Sequence, residues 1–305
     1  MGRVDSSACL PLPEGRPLAI PVHIGTCAWS FDEWRGVFYP EHLAANERLA
    51  WYARSIGSVE IDSTFYATPA REVAQHWADA TPEDFVFSCK MPRVITHERK
   101  LLDCREPLSE FLHGIEPLVP KLGAVLLQFP GTFRHTAGHL AALREFLELL
   151  PSGIRFAVEF RDAGWHLPRV AHLLEDHAVS WVWNDVSTLA HQSEAPFDFA
   201  PLTTDFIYLR LLGDLNTKYA GSGQRLFQYT KLMWPRDGAL ESWSVKVRQH
   251  EEAVARALIY ANNHYEGFSP ATCERIGALL GVPLVLPDFP PPVEVRHSAQ
   301  LELDF

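Results

Sequence analysis

The sequence predicts a single eight-stranded β/α barrel, the (β/α)8 TIM-type member of the α/β class. Three observations carry that prediction. Short runs rich in β-branched and aromatic residues recur eight times, helical patterns with a 3.6-residue period lie between them, and charged side chains close most of these otherwise apolar runs.

Strands are expected at 22–27, 58–62, 85–90, 124–129, 155–160, 180–185, 206–211 and 256–261. Between them, Leu140, Leu143, Leu147 and Leu150 form one helical stripe. Val170, Leu173, Leu174 and His177 form a second, and Leu240, Trp243 and Val247 begin a third. Pro69 and Pro168 stand where a first helical position accepts proline. Strict alternation of apolar strands and helices implies parallel pairing with the helices outside, and eight units favour closure. An open doubly wound sheet is the alternative, weakened because no G-x-G-x-x-G follows the first strand.

Residues 1–21, with Pro11, Pro13, Pro17 and Pro21, are expected to form an N-terminal extension. Residues 22–286 make the barrel domain, and 287–305 a proline-rich linker and tail. The longest irregular stretch, 213–238, combines Gly221-Ser222-Gly223 with Tyr219, Arg225, Tyr229 and Lys231. It reads as a lid over the site or as a surface insertion.

The formal net charge of -11 argues against a protein that coats nucleic acid over a broad basic face. An enzyme with a confined anion site stays compatible with it. The chain is 47% hydrophobic, with a mean hydropathy of -0.08, and has no apolar run long enough to span a membrane. The N-terminus shows no secretory pattern, since Asp5, Glu14 and prolines interrupt it. Cys9, Cys27, Cys89, Cys104 and Cys273 form no close pair, so neither a disulfide framework nor a C-x-x-C site is expected. A cytoplasmic setting follows as the expectation.

In a barrel the C-terminal strand ends converge on one mouth. Those positions supply Cys27 and Trp29; Glu60, Asp62 and Tyr66; Lys90 and His97; Gln128; Glu159, Arg161 and Trp165; Asn184 and Asp185; Arg210; and Asn262, Asn263 and His264. Charges ending apolar runs are costly unless paired or functional. Glu60, Lys90, Glu159 and Asp185 are the candidate catalytic groups. Trp29, Asp62, Tyr66, His97, Gln128, Arg161, Trp165, Arg210, Asn262 and Asn263 are the candidate substrate contacts. The competing reading makes Glu60, Glu159, Arg161 and Arg210 an ion-pair network that closes the barrel top. Lys90 is a proton donor or an anion anchor, and Gln128 orients a neighbour. Cys27 and Cys89 are read as buried packing, and the aromatics either stack on substrate or fill the core. No metal or other cofactor is assigned, because there is no H-E-x-x-H and no tight histidine cluster. A divalent ion on Glu159, Asp185, His97 and His264 is the weaker alternative.

The strand ends also carry a family pattern. Ile24-Gly25-Thr26-Cys27-Ala28-Trp29, Trp34-Arg35-Gly36-Val37-Phe38-Tyr39-Pro40 and Val59-Glu60-Ile61-Asp62-Ser63-Thr64-Phe65-Tyr66 resemble the opening of the YecE-like family, domain-of-unknown-function family seventy-two. Lys90 with Thr96-His97, Lys121-Leu122-Gly123 leading to Gln128-Phe129-Pro130, Glu159-Phe160-Arg161 with Trp165, and Asn262-Asn263 extend the resemblance over roughly residues 22–286. It implies a TIM barrel and leaves the chemistry to the residues. Asp62 departs from the asparagine usual in the family, and Leu212 from a histidine common there.

After the run Pro287-Asp288-Phe289-Pro290-Pro291-Pro292, the chain places Gln300, Leu301, Leu303 and Phe305 in the spacing Q-L-x-L-x-F. This resembles the peptide by which bacterial replication and repair proteins dock on the DNA polymerase sliding clamp. Gln300 would bond at a pocket rim while Leu303 and Phe305 fill an apolar pocket. Tethering to the clamp would raise the local DNA concentration without a basic coat.

The expectation is therefore a barrel enzyme acting on DNA or a nucleic-acid-derived phosphate ester, with the sliding clamp and possible DNA as partners and no membrane. Lys90, Arg161 and Arg210 would hold phosphate, and Glu159 or Asp185 would serve as base. Two rivals stand beside it. One is an acid/base enzyme on a sugar or phosphorylated metabolite, using Glu60, Lys90 and Glu159. The other is a binding or scaffold protein without turnover.

Overall fold

A computed structural model of the chain describes residues 15–186, 200–214 and 229–288. The tail at 300–305 and most of the 213–238 loop lie outside the described residues.

Among the described residues nine parallel strands form one sheet: β1 Val22–Thr26, β2 Ser58–Ile61, β3 Val86–Lys90, β4 Leu122–Gln128, β5 Phe156–Glu159, β6 Val179–Trp181, β7 Trp183–Val186, β8 Phe206–Gly213 and β9 Arg256–Ala261. Their spatial order is β6-β5-β4-β3-β2-β1-β9-β8-β7. The two end strands are one chain segment interrupted at Val182, whose N–H donates to Val158 O at 2.9 Å. The ring thus closes on itself, and all eight expected strands are present, the sixth in two pieces. β8 runs two residues past its expected end, to Gly213, where φ is +68°. A Cβ there would meet His264 O at 2.4 Å, so glycine is required.

Around the ring lie α1 Arg48–Tyr52, α2 Arg71–Asp79, α3 Arg105–Ile115, α4 Ala137–Leu147, α5 Pro168–Asp176, α6 Asp237–Gln249, α7 Asn263–Glu266 and α8 Ser269–Leu280. Pro168 opens α5 as expected. Pro69 does not open a helix: α2 begins two residues later, after an extended Ala70. Thr136 caps α4 by accepting from His139 N. The N-terminal segment anchors across the base, with Gly15 N donating to Ala278 O at 2.8 Å and Arg248 Nη2 donating to Arg16 O at 2.7 Å. Among the described residues no helix is long and apolar enough to cross a membrane.

The period-2 alternation of strand side chains sorts the core into two shells. Outward residues such as Ile24, Val59, Phe87, Val125 and Ile259 pack against the helices. Inward ones form a separate cluster that includes Val86, Ala124, Leu126, Ala157, Val182, Phe206 and Leu258. One step above that apolar filling, hydroxyls take over. Tyr260 OH lies 2.9 Å from both Ser58 Oγ and Ser88 Oγ, and Tyr208 OH donates to Glu60 at 2.7 Å. The barrel interior thus becomes more polar toward its C-terminal end.

Candidate active site at the barrel mouth

The inward register continues into charge. Glu60 and Asp62 follow Ser58 at two-residue steps, Lys90 follows Ser88, Gln128 follows Leu126, Glu159 and Arg161 follow Ala157, and Arg210 follows Tyr208. Buried in the centre is a chain of alternating sign. Arg210 donates to Glu60 through Nη2 at 2.6 Å and Nε at 2.9 Å, and its Nη1 meets Glu159 Oε2. Glu159 Oε1 in turn accepts from Arg161 Nε at 2.8 Å. Burial alone would raise the Glu159 carboxyl pKa, but Arg210 and Arg161 outweigh it and hold it at about 2. Burial and the Glu60 carboxylate push the Cys27 thiol well up, so it is no thiolate.

Above this chain opens a cavity of about 490 Å³. Lys90 stands in its wall, Nζ 3.2 Å from Asp62 Oδ1 and 4.3 Å from the Phe65 ring centroid. The Asp62 contact is an ion pair without an aligned hydrogen bond, so Oδ1 keeps its accepting capacity. His97 faces the same space from a π-helical turn, Val94–Glu98, that bulges its ring toward Phe65 at 4.8 Å. Its Nδ1 sits 2.9 Å from Thr96 Oγ1. Burial, then the cations Lys90, Arg161 and Arg93, lower its pKa to about 4 and keep it neutral near pH 7.

Gln128 is fixed by an Nε2 bond to Phe129 O at 2.6 Å. Asn262 and Asn263 spend their carbonyl oxygens on neighbouring chain: Asn262 Oδ1 accepts from His264 N, and Asn263 Oδ1 from the Ser269 backbone N and hydroxyl Oγ. Their amide groups are thereby oriented as donors. Tyr229 OH lies 3.0 Å from His264 Nε2 and closes the wall with Phe31.

The structure therefore gathers Asp62, Tyr66, Lys90, His97, Gln128, Arg161, Arg210, Asn262 and Asn263 around one cavity. Other sequence candidates stand elsewhere. Glu60 and Glu159 lie beneath the cavity, fully buried, with both oxygens of each engaged. Asp185 is one residue out of the inward register. It points outward and accepts from Trp243 Nε1 at 3.0 Å and Tyr265 OH at 2.9 Å. Trp165 is in the core, stacked on Phe133 and Phe160 and donating to Phe133 O. Trp29 packs edge-on against Trp77 at 5.6 Å, outside the cavity lining.

Phe31, Phe65 and Tyr229 line the cavity and were not singled out as contacts by the sequence. Phe65 was within reach, because a turn after Asp62 carries it over Lys90. Tyr208 was too, because it precedes Arg210 by one inward step. Among the described residues, no three His, Cys, Asp or Glu side chains are placed to hold a metal ion.

The family described as "Protein of unknown function DUF72" matches residues 23–299. The UPF0759 protein YecE of Escherichia coli (strain K12) is 36% identical over 140 residues, covering 46% of this chain and 48% of that protein. The UPF0759 protein YunF of Bacillus subtilis (strain 168) is 30% identical over 153 residues, covering 48% and 53%. The chain spans about half the length of the curated relatives it matches.

A crystal structure of a DUF72 family protein from Thermotoga maritima MSB8 superimposes with a TM-score of 0.69 at 27% identity, covering 83% of this chain and 96% of that one. Another, from Enterococcus faecalis V583, gives 0.68 at 21% identity, covering 88% and 98%, and speaks for the fold alone. With the barrel closed and the family match running over most of its length, this chain belongs to the DUF72 (UPF0759, YecE-like) family.

Proposed function

We propose that the barrel mouth is the site of a phosphoester hydrolase whose substrate carries a phosphate on a unit of about nucleotide size. The observation that carries this reading is Arg161. Its Nε is pinned by Glu159, its side chain is a quarter exposed, and the residue lines the cavity beside Lys90. A guanidinium held at one edge presents its remaining N–H groups as a preorganised fork, which suits phosphate oxygens. Phe65 and Tyr66 offer aromatic surface a short way off, fit for a base or a sugar face.

In this reading the proton transfers fall to Asp62 and Lys90, whose side chains meet at the cavity wall. Asp62 takes a proton from the attacking water as its oxygen bonds to phosphorus. Lys90 gives one to the ester oxygen as the P–O bond breaks. Asp62 then releases its proton to water in the open mouth and Lys90 takes one up from it, which restores both groups. Neutral His97 donates or accepts a hydrogen bond without adding charge, while Arg161 steadies the equatorial oxygens. Glu60, Glu159 and Arg210 position Arg161 and do not exchange protons.

Calorimetric titration with nucleoside monophosphates, together with turnover of phosphate mono- and diesters, tests the reading. Losing a charge-assisted contact in Arg161→Ala should weaken phosphate binding by about tenfold or more. Unchanged affinity in Arg161→Ala, or no binding of any phosphate ester by the native chain, would refute it.

Recruitment by the DNA sliding clamp belongs to the same proposal and rests on the spacing of Gln300, Leu301, Leu303 and Phe305. Purified clamp should retain the intact chain and release one lacking residues 300–305.

A further inference from the structure

The loops around the mouth differ sharply in charge. Segments 91–105, 130–136 and 160–169, which rise from the C-terminal ends of the neighbouring strands β3, β4 and β5, hold seven Lys or Arg against three Asp or Glu. Segment 28–48, which follows β1 and likewise runs to the first residue of its helix, holds four Asp or Glu against two Arg, of which Arg48 is buried and paired with Asp32. In a chain of net charge -11, such an excess on one side of a cavity is a local feature rather than the background. Among the described residues, Lys100, Arg105, Arg134 and Arg169 enter no ion pair. The arc is continuous with the cavity, because His97 on segment 91–105 and Arg161 on segment 160–169 both line it.

The first of these loops is also held in an unusual shape. Lys100, Leu101 and Asp103 all adopt positive φ, at 49°, 73° and 51°, which residues with a Cβ rarely do. Leu101 is buried and donates its N–H to Ile95 O at 2.9 Å, so the surrounding packing enforces the conformation. Its outcome is to display Leu102, 57% exposed, among Arg99, Lys100 and Arg105. At the cavity edge Tyr66 is 73% exposed as well. Exposed cations interleaved with exposed apolar and aromatic side chains match a strand with phosphates on one side and bases on the other.

We infer that the substrate is a nucleic-acid strand that lies along the arc above β3, β4 and β5 and delivers one of its nucleotides into the mouth. The inference rests on the phosphoester reading of the cavity and extends it from a small ester to a polymer. The phosphates of the flanking nucleotides meet Arg99, Lys100, Arg105 and Arg134, and Leu102 and Tyr66 contact bases. The acidic rim above β1 repels the strand and sets the side from which it enters.

The test is fluorescence anisotropy of the full chain with a labelled single strand about fifteen nucleotides long, set beside thymidine monophosphate. The native chain should bind the strand more tightly than the monophosphate, with an affinity that falls as salt rises. Arg99→Glu with Lys100→Glu should weaken strand binding by about tenfold or more and leave monophosphate binding within about twofold. Arg54→Glu with Arg144→Glu, exposed cations away from the arc, makes the same change in net charge and should cost far less. Strand binding no tighter than monophosphate binding overturns the inference. So does an arc reversal that acts no more strongly than the control reversal, or heparin competing as well as unlabelled strand. Monophosphate binding by the native chain reads the cavity separately, so failure of the arc and failure of the cavity are told apart.

Discussion

Arg210 grips Glu60 through two nitrogens, at 2.6 Å and 2.9 Å, where neither side chain is exposed by more than 2%. Its third nitrogen meets Glu159, so one guanidinium joins two carboxylates from separate strands, β2 and β5. The ends of three non-adjacent strands, β2, β5 and β8, are joined this way, and removing the cation would strand two buried anions. Replacing Arg210 by Met should therefore cost about 3–5 kcal/mol of stability. Urea unfolding at neutral pH measures it, and a loss below about 1 kcal/mol would show the carboxylates finding other partners.

Glu159 gives the barrel an acid limit. Its carboxyl titrates at about 2 in the folded chain against an ordinary value of 4.5. A depressed acid contributes stability that is complete above the unfolded value and is lost as pH falls from about 4.5 toward 2. The shift corresponds to about 3 kcal/mol. Acid unfolding of Glu159→Gln should show a flatter dependence over that range than the native chain. Parallel curves would remove Glu159 as the source.

His97 should stay neutral through the physiological range. Its pKa of about 4 arises from burial first and then from Lys90, Arg161 and Arg93. Proton NMR of the ring should show a midpoint near that value, and Lys90→Met should raise it part of the way toward 6.5. A midpoint near 6.5 in the native chain would contradict the described packing. A midpoint unmoved by Lys90→Met would remove the lysine as a cause.

Asp185 and Trp165 separate stability from binding. Asp185→Asn disturbs the contacts to Trp243 and Tyr265, and Trp165→Leu opens the aromatic stack under α4 and α5. Each should lower the unfolding midpoint, with about 1–3 kcal/mol lost, and leave phosphate affinity unchanged. A selective loss of affinity in either would return that residue to the site.

The barrel was legible because its signals are local. Val86-Phe87-Ser88-Cys89-Lys90 and its counterparts read as strands from composition, and Pro168 marks a helix start that the chain uses. The candidate site was legible to the nearest residue on most strands but not in depth. Sequence position places Glu60 and Asp62 alike at the end of β2, yet two residues separate a buried anchor from a cavity wall. Asp185 failed by one residue, since Asn184 pairs with Arg210 on the inward face and Asp185 must then point out. Trp165 was drawn to the mouth by its neighbour Arg161, but a short turn folds it under the loop against Phe133. Phe31 and Tyr229 reach the cavity through tertiary packing that no local pattern encodes.

The most direct measurement of the central claim is the electron density of crystals soaked with a nucleoside monophosphate. A phosphate is expected in the barrel mouth within hydrogen-bonding distance of Arg161 and Lys90, and none there in crystals of Arg161→Ala. A phosphate bound away from the mouth, or an occupied mouth in which Arg161 and Lys90 touch no phosphate oxygen, would contradict it.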